Sequence, residues 1–331
     1  MAILSIFSFL LIAIFSFGEI TSAGATGGGY TPIPEAVRAF YSKEVLFQAQ
    51  PICKFLQFAK QKRDLTAVRG KSISFTKYGN LNGGGAIAEE DTLAANNLIT
   101  SEVTITVSEQ ANMVTLTELL MRTSLLDVMG DASKLLANNL ASVLDKQFRD
   151  ACLSTTNVVF GNGSASSSAM SATSVFNSKT VKDAVEILAT NNAPKFNGEY
   201  YVCIAHPKQL RQLRDDTAWI NANTYMGRRQ LYIGEVGMYE GVVFIETTNM
   251  PLLTSAQVVT KYGGAYTPAA GCEAVIFGEN SYAWAVALDV ELRDDGVKEM
   301  GRKRTLGWYG IWGIGLIEED NVIKVLTAAT L

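Results

Sequence analysis

Cys203 and His206 stand three residues apart, the nearest this chain comes to a thiol nucleophile beside its base. His206 is the one histidine of the sequence, so most imidazole metal centres are excluded and any Ser–His or Cys–His pair must use it. In an extended strand, residues three apart point to opposite faces. Pro207 directly after His206 marks a strand-to-helix turn, so the pair reads as structural. Cys53, Cys152, Cys203 and Cys272 show no short pairing, which removes a CxxC metal knuckle and a dense disulfide framework and leaves buried free thiols. Glu89-Glu90-Asp91, Asp294-Asp295 and Glu318-Glu319-Asp320 carry charge for a divalent cation but no EF-hand spacing, and read as solvated turns. Gly83-Gly84-Gly85 has no following Lys-Ser/Thr and opens no helix after a strand, so it is a loop tip rather than a phosphate cradle. The basic groups Lys60-Gln61-Lys62-Arg63, Arg228-Arg229 and Arg302-Lys303-Arg304 are scattered. They fit solvated faces or, as a functional reading, ion pairs between subunits. No catalytic, cofactor or metal site is assigned, and the chain reads as a non-enzyme.

The elements that would carry these residues form a mixed α+β pattern. A flexible joint, GATGGGYTPIP at 24–34, precedes a helical pattern at 35–50 and a second helical piece through Phe55, Phe58 and Ala59. Alternation predicts strands at 71–77 and 102–107, with Ile73 and Phe75, and Val103, Ile105 and Val107, each on one face. The polar, glycine-bearing stretch between them is too long for a hairpin turn and is expected to project from the body. Apolar residues at spacings of three and four across 117–152 predict the longest helix, about 40 Å if 126–152 is continuous. A serine-rich surface loop at 161–174 follows, with a domain boundary near 160 and a helix over 180–190. Beyond 199 the pattern predicts a strand, a helix from Pro207 to about Asp216, and strands near 242–247, 257–261, 273–277, 283–292 and 313–326. Strands and helices do not alternate regularly, which argues against a doubly wound nucleotide-binding sheet.

Composition narrows the function classes. Of 331 residues only 18% are charged while 48% are hydrophobic, which excludes a disordered chain and suggests that copies or partners cover part of the surface. The net charge of -4 offers no basic footprint for specific nucleic-acid binding. Residues 3–17, ILSIFSFLLIAIFSF, followed by Thr21-Ser22-Ala23, have the length and cleavage pattern of a signal peptide. No Lys or Arg precedes that run, whose first basic follower is Arg38, and it is short for a membrane span. An exported or anchored segment, an upstream-start artefact and an apolar terminal arm are the competing readings.

The order of five blocks is more specific than any motif. YTPIPEAVRAFYSKEVLFQAQP at 30–51, GKSISFTKYGNL at 70–81, YYVCIAHPKQLRQLRDD at 200–216, GEVGMYEGVVFIETTNM at 234–250 and LGWYGIWGIGLIEEDNVIKV at 306–325 together resemble a tailed-bacteriophage major capsid protein. The likeness is to the capsid family of podophages with large virion-borne polymerases, and it covers roughly residues 30–331. It implies the fold shared by tailed-phage and herpesvirus capsid shells. In that fold 24–66 would be an N-terminal arm, 67–112 an extended loop, 113–175 with 286–331 a peripheral domain with a spine helix, and 176–285 an axial domain. Residues 1–23 are an apolar segment outside the pattern.

The resemblance implies a structural subunit that self-assembles as hexamers and pentamers into an icosahedral shell around packaged double-stranded DNA, without sequence-specific DNA binding, cofactor or membrane. It leaves open whether scaffold, decoration or portal proteins take part. The expected location is the virion capsid, assembled in the host cytoplasm. Interface candidates are Lys71, Phe75, Tyr78, Gly83, Gly84, Gly85, Glu89 and Glu90 on the loop, and Arg228, Arg229, Arg302 and Arg304 in the basic groups. Lys71 and Lys77 lie where a covalent cross-link between subunits could start. Two alternatives stand beside this reading: a nanocompartment shell of the same fold, and a secreted or envelope surface protein if 1–23 is a true signal.

Overall fold

The computed structural model describes residues 53–63, 70–79, 97–124, 128–219 and 235–329. The apolar segment 1–23, the joint at 24–34, the helical pattern at 35–50, Gly83, Gly84, Gly85, Glu89 and Glu90 at the loop tip, and Arg228 and Arg229 lie outside these residues.

Among the described residues the strands form three sheets. The largest runs β5 (Val158–Phe160), β13 (Val322–Ala329), β10 (Ala270–Phe277), β6 (Tyr201–Ala205), β8 (Val242–Glu246) and β7 (Glu235–Tyr239), with β9 (Leu252–Thr254) on β10. A second sheet runs β1 (Lys60–Lys62), β11 (Tyr282–Lys298), β12 (Lys303–Leu316) and β4 (Ser108–Thr117), and β2 (Ser72–Tyr78) pairs with β3 (Thr100–Thr106) as a separate antiparallel ribbon. The helices are α1 (Glu118–Thr123), α2 (Val128–Leu153), α3 (Ser178–Thr190), α4 (Pro207–Arg214) and α5 (Ser255–Tyr262).

The described residues divide into two compact units. In the smaller, which holds Ala111–Asn139 and Val290–Tyr309, the N–H of Glu118 at the start of α1 donates to the Arg302 carbonyl at 2.8 Å. Asn139 on α2 accepts from the Asn112 amide at 2.8 Å and from the Trp308 indole at 3.2 Å. Gly307 is required where β12 passes β4, since a Cβ there would stand 2.7 Å from the Asn112 carbonyl.

In the larger unit the main sheet is buried on both faces, as its largely apolar central strands require, with Glu273 on β10 and Lys324 on β13 as charged exceptions. Tyr201, Cys203, Ala205, Val242, Phe244, Ala274, Ile276, Ile323 and Val325 alternate onto one face, under Val181, Ala184 and Leu188 of α3 and Leu210 and Leu213 of α4. Phe277, pointing the other way, joins an aromatic cluster with Phe58, Phe196 and Tyr282 at centroid distances of 5.8, 6.0 and 5.4 Å. The α2 stripe anticipated from its spacing is real: Leu136, Leu140, Leu144, Phe148 and Cys152 are buried along its 26 residues, about 39 Å.

Two expected elements are corrected. The strand expected at 257–261 is part of helix α5: Thr254 and Gln257 close a capping box, and Gly263 ends the helix at φ +72°, overriding the β preference of Val258 and Val259. The strand expected over 313–326 is broken into β12 and β13 by a 3-10 turn at Glu319–Asn321. The helical piece near Phe55 shrinks to a 3-10 turn, Leu56–Phe58, before β1, and strand β4 had no sequence expectation.

Candidate assembly surfaces

The ribbon is built as a rooted projection. Ile73 and Phe75 of β2 lie opposite Ile105 and Val103 of β3. Ile73, Phe75, Ile105 and Val107 pack against Ala283 and Ala285 of β11 and, less deeply, Ile311 and Ile317. Gly313 and Gly315 on β12 make room for this root. A Cβ at Gly313 would stand 2.3 Å from the Thr106 carbonyl oxygen, and one at Gly315 would stand 3.2 Å from the Ile105 side chain. Lys62 steadies the ribbon from β1, donating to the Ser74 carbonyl at 2.9 Å with its ammonium 5.2 Å from the Phe75 ring centroid. Lys77 is ion-paired with Glu318 of the same chain.

Toward its far end the character reverses. Tyr78, Leu98 and Ile99 are 65%, 61% and 63% exposed, held together by the Gly79 N–H donating to the Ile99 carbonyl at 2.8 Å. Apolar side chains at the end of β2 and just before β3 thus face solvent. Of the interface candidates, Tyr78 is exposed at the end of β2 and Lys71 lies exposed just before the strand. Phe75, only 7% exposed, fills the ribbon root within its own chain, as the inward phase of the strand dictates.

The turn joining β11 and β12 is a second projection. Glu299, Met300 and Gly301 follow one another at φ +53°, +57° and +95°, a left-handed run that costs energy at the two non-glycine positions and leaves Met300 fully exposed. Arg302 is exposed there. Arg304 is committed within its own chain, donating to Asp294 at 2.6 and 2.9 Å.

Cys203 lies wholly buried in β6, where burial pushes its thiol far up. His206 is the N-cap of α4, its Nδ1 accepting from the Lys208 N–H at 3.2 Å, with Gln209 closing the capping box. Burial and the neighbouring Lys208 charge hold its imidazole below the usual range. The structure therefore contains the strand-to-helix turn that Pro207 announces. Glu319 of the acidic triplet caps a turn, accepting from the Thr156 N–H at 2.5 Å, a bond that keeps its carboxyl below the ordinary value. Among the described residues no three His, Cys, Asp or Glu side chains are grouped to hold a metal, and no helix is long and apolar enough to cross a membrane.

Three buried charged groups, Glu273, Asp145 and Lys324, had no expectation from the sequence. Glu273 of β10 is paired with Lys261 at 2.7 Å and accepts from the Tyr262 hydroxyl, tying the last turn of α5 to the sheet. Asp145 of α2 accepts the backbone N–H groups of Lys54 and Phe55 at 2.9 and 3.2 Å and the Asn249 amide at 2.7 Å. Its signal was available: an acid three residues before Phe148 and four after Ala141 on the apolar stripe of the longest helix.

The phage capsid protein family matches residues 56–288, more than half of the chain. No curated protein matches the sequence. Among solved structures the fold is similar to the capsid of Ralstonia phage GP4, at a TM-score of 0.69 and 16% identity, covering 95% of this chain and 97% of that one. It is also similar to the capsid of cyanophage Pam1, at a TM-score of 0.63 and 18% identity over 95% and 98% of the two chains. The head structure of Helicobacter pylori bacteriophage KHP40 follows at 0.62 and 13% identity over 94% and 96%. The mixed α+β fold is thus that of phage major capsid proteins, and neither the nanocompartment nor the secreted-protein reading is favoured. With the family matched across both the ribbon root and the main sheet, the chain belongs to the phage capsid proteins and is a structural major capsid protein, a subunit of the virion shell.

Proposed function

We propose that this subunit forms hexamers and pentamers of an icosahedral shell that encloses packaged double-stranded DNA, and that it does so without catalysing a reaction. The observation that carries the reading is the ribbon, whose root is buried in its own subunit while Tyr78, Leu98 and Ile99 present apolar surface beyond it. An apolar end held out on a fixed root is explained by a neighbour that covers it. In this reading 24–66 is the arm, 67–112 the extended loop, 113–175 with 286–331 the peripheral domain and 176–285 the axial domain. Gly83 to Gly85, Glu89 and Glu90 would contact the adjacent subunit, and Arg228, Arg229 and Arg302 are offered as further interface positions.

A net charge of -4 suits a container that must release its genome, because a shell that neutralised many phosphates would bind the DNA it has to eject. Scaffold, decoration and portal proteins are the further partners that such a shell would engage, and the host cytoplasm is where it would fill with DNA. The test replaces Leu98 and Ile99 together by Asp. The subunit should stay folded, with its melting temperature within a few degrees of wild type, and form no closed particles by negative-stain microscopy. Normal shells from this variant would remove the ribbon from the assembly mechanism.

A further inference from the structure

The described residues begin at Cys53 in a polar clasp. One carboxylate oxygen of Asp145 accepts the consecutive N–H groups of Lys54 and Phe55 at 2.9 and 3.2 Å, and the other accepts the Asn249 side-chain amide at 2.7 Å. Arg149, one turn further along α2, holds Asn249 in turn through its carbonyl at 2.7 Å and its side-chain oxygen at 3.2 Å. The Tyr282 hydroxyl donates to the Phe55 carbonyl at 2.7 Å, and the Cys53 thiol to the Ala141 carbonyl at 3.3 Å. Two successive residues, Lys54 and Phe55, are thus gripped by their main chain, and Cys53 before them by its thiol.

A carboxylate in the buried stripe of a helix is costly, and an apolar residue there would complete the stripe more cheaply. What the carboxylate supplies is two charge-assisted bonds to backbone N–H groups, about twice the strength of neutral ones. Because they act on the backbone, they fix the path of the chain at this point and not the identity of any side chain.

We propose that Asp145 is a positioning residue for shell assembly, which sets where and in what direction residues 1–52 leave the subunit so that they meet a neighbour. The inference rests on reading residues 24–52, the part of the proposed arm that precedes the clasp, as crossing to a neighbouring subunit, and the experiment separates the two. Full-length wild type, Asp145→Asn and Tyr282→Phe are treated with trypsin as dissociated subunits and as particles, and cleavage after Arg38 and Lys43 is followed by mass spectrometry. Val181→Ala, which thins the α3 core without touching the clasp, controls for lost stability.

In wild type both sites should be cut in subunits and protected in particles; equal cutting in the two would overturn the arm reading itself. With protection established, Asp145→Asn should fold cooperatively, exchange the Lys54 and Phe55 amides about tenfold faster, and assemble at least several-fold less or lose the protection. Val181→Ala should lose melting temperature and keep the protection. Wild-type assembly and protection in Asp145→Asn, or equal loss of protection in Val181→Ala, would overturn the clasp while leaving the arm intact. If Asp145→Asn does not fold, Tyr282→Phe decides: partial loss of protection supports the proposal, and unchanged protection overturns it.

Discussion

Replacing Gly313 by Ala should loosen the ribbon from its root, while the same change two residues on at Gly315 should do almost nothing. Both glycines lie on β12, neither has a left-handed φ, and both Cβ positions are directed at the 105–106 backbone and side chains, so the pair isolates the steric effect. At Gly313 the new methyl would meet the Thr106 carbonyl oxygen at 2.3 Å and its carbon at 3.0 Å. Ordinary contact needs roughly 1 Å more, and the obstacle is backbone that cannot rotate away. At Gly315 the obstacles are Cγ1 and Cδ1 of Ile105, at 3.2 and 3.3 Å, which need give by only a few tenths of an ångström.

Overpacking against fixed backbone costs about 1–3 kcal/mol, and loss of glycine's freedom in the unfolded chain returns about 0.4–1 kcal/mol. Backbone at 2.3 Å puts Gly313→Ala at the upper end of that cost, a balance of about 2 kcal/mol destabilising, and a side chain at 3.2 Å puts Gly315→Ala at the lower end, a balance close to zero. At about 2–3 °C per kcal/mol for a chain of this size, calorimetry on dissociated subunits should show a drop of about 5 °C for the first and under about 2 °C for the second. Amide exchange should quicken chiefly at Thr104 to Thr106, and particle yield should fall with it. Equal melting temperatures, or a larger loss for Gly315→Ala, would refute the argument.

His206 predicts a pH dependence. Its imidazole is held below the ordinary value, so protons favour the unfolded chain, and the stability it contributes is full above about pH 6.5 and lost as pH falls through the lower folded value. His206→Asn keeps an N-cap acceptor but does not titrate, so melting temperature between pH 7 and 5 should decline less in this variant than in wild type; identical slopes would contradict the cap assignment. The cysteines predict redox indifference. All four are buried, with Cys53 pushed up to about 12 and Cys272 to about 11 by burial. A thiol reagent at pH 8 should label none rapidly in folded subunits and all four after denaturation, and reductant should leave particles unchanged; fast native labelling of any of them would count against this packing.

The sequence carried the ribbon strands, the long helix and the strand–turn–helix at Cys203 to Pro207 because each is written locally, in alternation, in spacing or in a proline. It misled where two local signals disagreed. Val258-Val259 invited a strand, yet Thr254 and Gln257 already spelled the capping box that makes the segment helical. Glu318-Glu319-Asp320 was legible as a solvated turn, and a strand drawn across it could not also stand. Asp145 was hidden for another reason: its partners, Lys54, Phe55 and Asn249, lie 91, 90 and 104 residues away, and no periodicity announces a long-range bond to backbone. Phe75 belongs to the same class, since alternation shows that it shares a face with Ile73 but not what covers that face.

The pairing order of the strands also governs when a newly made chain can close its sheets. β1 pairs in parallel with β11, Lys60 opposite Ala283, and β5 with β13, Val158 opposite Lys324, so both sheets close only between segments far apart in synthesis. Such non-local parallel contacts form slowly, after the loop-closure entropy has been met. The ribbon's seat on Gly313 belongs to the same late set, joining residues 105 and 106 to a strand made much later. On a growing polypeptide the ribbon strands are made early but have no seat until β11 and β12 have followed.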